Sequence, residues 1–202
     1  DPMSLCVVNG GRLEDLEAFT AAVKSHHPER SIKFFPTLQD AIDGSLTHDV
    51  IFLPAGRHFV SGFGNLNAGG SIIGTTCNRS DVIITDLRVG EEVFAIEVID
   101  PKRSSKFENL SIEVETQTTA MALKRGTLSI KNCAIQGGEI GIEICGSGCV
   151  AYVFQTKIGG TGNSVKISSG GRLIAYFSTF HDAHAGILFE RPISASMKLF
   201  YV

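Results

Sequence analysis

A repeat of 23 residues constrains this chain more than any other feature. Ile73, Ile96, Thr119, Ile142 and Val165 stand 23 apart, and Ile187 follows after 22. Val98, Met121, Ile144 and Ile167 keep the same step and end at Phe189. Two more columns run Ile84, Phe107, Ile130, Val153, Ala175 and Val89, Ile112, Ile135, Ile158, Phe180. Thr119 is the one clear break in the apolar rule. A fixed period of this length means one supersecondary unit stacked on copies of itself.

Within a period the apolar residues alternate. Leu128 and Ile130 share a parity, then Cys133 and Ile135, then Ile142 and Ile144. Spacing by two marks short strands with one buried face. The parity breaks between Ile130 and Cys133, so a bend at Asn132 must turn both side chains inward. Asn tolerates the left-handed backbone such a bend requires. Asn109 and Gln155 occupy the same place one coil either way. Gly137-Gly138 with Gly159-Gly160, and Gly146 to Gly148 with Gly170-Gly171, mark two further corners.

Three short strands and three corners per period predict an all-β fold, a right-handed parallel β-helix of about six coils. An all-β sandwich is the rival, but it offers no reason for a fixed register. Open edges at the ends of such a stack need covering. Two amphipathic segments, Leu13 to Ser25 and Leu38 to Gly44, predict helices that cover one end. Thr37-Leu-Gln-Asp40 opens the second helix like a capping box with Asp in place of Glu. Residues 1–48 read as an N-terminal segment and helical cap, and residues 49–202 as the β-helix, in one structural domain.

Composition limits the function classes. The chain has 202 residues, net charge −3 and 43% hydrophobic residues, which suits a sizeable core and gives no global case for a nucleic-acid partner. No stretch has the ~20 apolar residues of a membrane span, and no signal peptide is evident at the start. The five cysteines, Cys6, Cys77, Cys133, Cys145 and Cys149, are expected as buried free thiols of a reducing, cytoplasmic compartment.

The segment Thr37 to Asp43, followed by Ile51-Phe-Leu-Pro-Ala-Gly56, looks like the entry into pectate-lyase-like β-helices. Gly126-Thr-Leu-Ser-Ile-Lys-Asn-Cys-Ala-Ile-Gln136, followed by Gly141-Ile-Glu-Ile144, is similar to the β-helix region of the Shc SH2-domain-binding protein family, which includes Nessun dorma. The similarity spans about residues 37–192, with the Asn-Cys corner as its most specific piece. The resemblance implies a cytoplasmic, non-enzymatic protein of cytokinesis at the midzone, midbody and cleavage furrow. It implies association with centralspindlin and binding of β-galactoside-type carbohydrate, with no catalytic motif or cofactor to carry over.

Candidate sites are few. A β-helix lyase or hydrolase, the alternative in another class, needs carboxylates clustered on one face of neighbouring coils. The Glu residues here are dispersed, and Glu97, Ala120, Glu143 and Lys166 read as one outward column with Glu143 beside Lys166. Neither a catalytic set nor a metal site is expected. His181, Asp182 and His184 form a polar corner, or a contact for a sugar or partner. Lys102, Arg103, Lys106, Lys124 and Arg125 gather at another corner. Lys102 is expected to stack on Arg125 with few acids nearby, which suits either a solvated corner or an acidic partner surface. Asn109 and Asn132 are expected as structural corners.

Overall fold

Alternation sets each strand. In Thr127–Lys131, Leu128 and Ile130 turn inward and fully bury, while Lys131 faces solvent. Stacked in register, such strands make a parallel β-helix in this computed structural model, described over residues 5–8, 13–26, 28–46, 49–60, 64–67, 70–86, 92–115, 117–181, 185–190 and 195–200. Sheet A has nine strands, in spatial order Ile32–Phe35, Leu5–Val8, Val50–Leu53, Ser71–Gly74, Ser105–Glu108, Thr127–Lys131, Val150–Phe154, Arg172–Tyr176 and Ser196–Phe200. Sheet B has six: Gly56–Val60, Val82–Asp86, Ser111–Val114, Ala134–Gly137, Lys157–Gly159 and Thr179–His181. Sheet C has six: Gly64–Asn67, Glu92–Glu97, Thr119–Arg125, Ile140–Cys145, Asn163–Ser168 and Ala185–Glu190. The chain visits A, B and C in turn, through six complete coils and into a seventh.

The N-terminal segment does more than supply helices. Its strands Leu5–Val8 and Ile32–Phe35 extend sheet A beyond the first coil. Helix α1 (Leu13–His26) packs Phe19 edge-on against Phe52, with ring centroids 5.3 Å apart. Helix α2 (Leu38–Gly44) buries Leu38, Ala41 and Ile42 against the N-terminal strands and the first coil. Its cap matches the sequence expectation: Thr37 Oγ1 accepts from the Asp40 N–H at 3.1 Å and donates to the Asp40 carboxylate at 2.6 Å.

The interior is a set of apolar stacks. Phe107, Ile130, Val153 and Ala175 superpose in sheet A. Ile112, Ile135 and Ile158 superpose in sheet B, followed by Phe180. These keep the 23-residue step, shortened to 22 at Ala175 and at Phe180. Earlier coils do not, and three expected columns are corrected. Ile84 lies in sheet B over Ile112, and Ile72 takes the place expected for it on Phe107. Ile96 stacks on Leu123 and Phe94 on Met121, while Met121 meets Ile142 and Leu123 meets Ile144. Ile73 sits in sheet A beside Glu108, and Thr119 faces Glu92 and Ile140. The causes are a longer second coil and a two-residue slip between Val114, which pairs with Gly137, and Thr119, which pairs with Ile140. Val89 lies outside the described residues.

Candidate functional site

The bend predicted at Asn132 exists and repeats. Asn109, Asn132, Gln155 and Phe177 have φ of 57°, 49°, 49° and 49°. Asn109, Asn132 and Gln155 donate their N–H to Lys131, Phe154 and Tyr176 of the next coil, and Phe177 donates to Phe200. The residue after each bend turns inward. Cys133, Thr156 and Ser178 are buried, and each donates to a carbonyl two residues back. The N–H of Cys133 then reaches Thr156 Oγ1, and that of Thr156 reaches Ser178 Oγ. This ladder explains the Asn-Cys pair: the first residue makes the turn, and the second fills it with a small polar atom.

Outside the ladder lies an open groove of about 460 Å³, lined by Cys77, Asn78, Arg79, Asn132, Gln155, Thr156, Lys157, Phe177 and Thr179. Asn132 Nδ2 donates to Cys77 O and Asn109 Oδ1, both at 2.9 Å. Arg79 Nη1 spans two coils, donating to Cys133 O and Gln155 O at 3.0 Å. No carboxylate is among these lining residues. Beside the groove the outer face of sheet A carries aromatics. Tyr152, Tyr176, Phe177 and Phe200 are exposed, Phe177 at 54%. Phe154 and Phe177 meet edge to face at 5.7 Å, and Tyr176 and Phe200 stack at 4.5 Å. Amides, two cations and aromatic rings can hold an elongated polar ligand. The sequence reading followed inward columns and missed this site, although Phe154, Tyr176 and Phe200 recur once per coil in register.

The residues singled out from sequence fare differently. The basic corner is not the stack expected. Arg125 faces Glu97, not Lys102, because sheet C partners in these two coils lie 27 residues apart, as Met121 and Phe94 do, and a one-residue shift after Leu123 adds to that. Arg103 pairs with Asp100 at 3.4 Å, and Lys124 pairs with Glu92. That hydrogen bond with Glu92 raises the Lys124 pKa. Lys102 is exposed, with its N–H on Asp100 Oδ1, and Lys106 points out from sheet A beside Ser129. Acids therefore do stand beside this corner. Glu143 and Lys166 pair at 3.1 Å as expected, and Glu190 joins them at 2.8 Å; the register neighbour of Glu143 on its other side is Ala122 rather than Ala120. His181 ends a sheet B strand opposite Gly159. Asp182 and His184 lie outside the described residues. Among the described residues no three His, Cys, Asp or Glu side chains cluster as metal ligands. No described helix is long and apolar enough to cross a membrane.

None of the five cysteines forms a disulfide, but they are not uniformly buried: Cys77 is exposed in the groove and Cys145 is half-buried. Desolvation pushes the Cys133 thiol up to about 12, and desolvation with the nearby Glu143 pushes Cys145 to about 11. Both are poor nucleophiles near neutral pH.

No protein-family model matches the chain, and no curated protein does. A solved structure of ORF18 of Geobacillus virus E2 is similar at 13% identity and a TM-score of 0.41, over 95% of this chain and 43% of that one. The chain thus spans less than half the length of that protein.

Proposed function

We propose that this chain is a non-catalytic binding module whose corner groove and adjoining aromatic face hold a carbohydrate. The observation that carries the reading is the pairing of exposed rings on sheet A with a groove lined by amides and no carboxylate. Saccharides present apolar C–H faces and many hydroxyls, which suit aromatic surfaces and side-chain amides respectively. Coils repeat at about 4.8 Å, close to the length of one pyranose residue, so an extended glycan along the axis meets equivalent side chains at each step. A lining without carboxylates supplies no acid and base pair for glycoside cleavage.

A glycan array probed with the whole chain, with affinities for its best ligand, tests the reading. Phe177→Asn removes a ring yet suits the left-handed backbone, and with Tyr152→Ser it should weaken binding at least tenfold while the fold persists. Unchanged affinity in that double variant, or turnover of the bound glycan, would overturn the reading. A second reading rests on the Gly126 to Gln136 resemblance: a scaffold that joins centralspindlin at the midzone and midbody. Reciprocal pull-down from dividing cells, with no centralspindlin component recovered, would remove it.

A further inference from the structure

The two outer faces that carry most of the charge are built differently. On sheet C the lysines are matched: Lys124 with Glu92, and Lys166 with both Glu143 and Glu190. On sheet A they are not. Lys106, Lys131, Arg172 and Lys198 all project outward between Ser105–Glu108 and Ser196–Phe200. None of the four has a carboxylate within ion-pair distance among the described residues. Glu108, opposite Lys131 in register, is the lone acid on these five strands that faces outward. This basic face belongs to a chain whose net charge is −3. It is also the face that bears the exposed rings, and the Phe154–Phe177 contact joins it to the groove with Arg79 and Lys157.

We infer that the ligand of this face is an acidic linear polysaccharide bearing carboxylate or sulfate groups. The inference rests on the carbohydrate reading above and gives it a chemical class. Size argues for a narrow ligand. Five-residue strands at about 3.3 Å per residue and four coil steps at about 4.8 Å enclose roughly 300 Å². A globular partner needs about 800 Å² on each side. Backbone pairing argues against an extended acidic peptide. Such a peptide adds to a sheet edge, whereas Thr127–Lys131, Val150–Phe154 and Arg172–Tyr176 are paired on both sides, and the edge at Ser196–Phe200 lies at the far end of the face from Lys106 and Lys131. Ring geometry argues against single-stranded nucleic acid, since Tyr176 and Phe200 close on each other and admit no base between them. A polymer with acidic groups at intervals can instead lay its sugars beside the rings and its charges beside the cations. Exposed charges are screened over about 8 Å at physiological ionic strength, so binding should weaken with salt.

The test compares the whole chain on polygalacturonate, neutral galactan, oligo-dT and polyglutamate at 50 and 300 mM salt. The expected result is binding to polygalacturonate at least tenfold tighter than to galactan, with most of that preference lost at high salt. Arg172→Glu with Lys198→Glu should abolish the preference without lowering the melting temperature, and Arg172→Lys with Lys198→Arg should retain it. Equal affinity for the acidic and neutral galactose polymers would overturn the charge inference and leave the carbohydrate reading standing. Binding to neither polymer would overturn both. Tighter binding of oligo-dT or polyglutamate than of polygalacturonate would replace the glycan with another class of ligand.

Discussion

At Asn132 a backbone requirement and a side-chain requirement meet. Its φ of 49° is a region in which a β-branched residue is strained. Its amide also ties the loop carbonyl of Cys77 to Asn109. Asn132→Val should therefore lower stability by about 2–4 kcal/mol, combining backbone strain with lost hydrogen bonds. Asn132→Gly, which relieves the backbone but not the amide, should lose less. Urea denaturation of both variants checks this, and a neutral Asn132→Val would disprove the account of the bend. This bend was legible in the sequence because the parity of apolar residues fails there and an amide residue fills the gap. The groove beside it was not legible. It needs Arg79, which reaches Cys133 and Gln155 from a segment outside the regular repeat.

At the scale of the element, the sheets read clearly where every coil has the same length. From Phe107 to Val153 sheet A keeps its step, with a shortening to 22 at Ala175, and these inward residues could be listed from sequence. Sheet C could not be read so far back, because a two-residue slip leaves parity intact and Ile, Val and Met satisfy the pattern either way. Thr119 at an apolar column was the trace of that slip. The strands Leu5–Val8 and Ile32–Phe35 have no repeat partner in sequence and left no periodic sign. Sheet B has its own anomaly at the N-terminal end. His58 is buried in the inward column, in register with Ile84, and its Nε2–H donates to Pro54 O at 2.8 Å. Desolvation lowers its pKa below 6.5, so the folded state binds its proton less readily than the unfolded chain. The stabilisation from the neutral ring is complete above pH 6.5 and is lost as pH falls below it. The urea midpoint should drop between pH 7 and 5 by more in the natural protein than in His58→Leu. Parallel pH profiles for the two would refute this assignment.

For the molecule as a whole, each coil contacts chiefly its neighbours, so local stability should follow position in the stack. Ile142, Ile144, Val165 and Ile167 are fully buried between coils, while every residue of Ser196–Phe200 is exposed. Amide protons of Ile140–Cys145 should exchange at least tenfold more slowly than those of Ser196–Phe200, as native-state exchange would measure. Uniform protection along the axis would show a single cooperative block instead. Some side chains reach past the neighbouring coil, as Arg57 does to Glu113 and Asn132 to Cys77 O, and Arg79 reaches further still. Its guanidinium waits for carbonyls 54 and 76 residues further along the chain. During synthesis, each new turn can settle on the one just made, but this side chain cannot make both carbonyl bonds until Gln155 has emerged and taken its place. The segment around Arg79 is thus a latch that closes late, so the order of synthesis differs from the order in which the corner becomes complete.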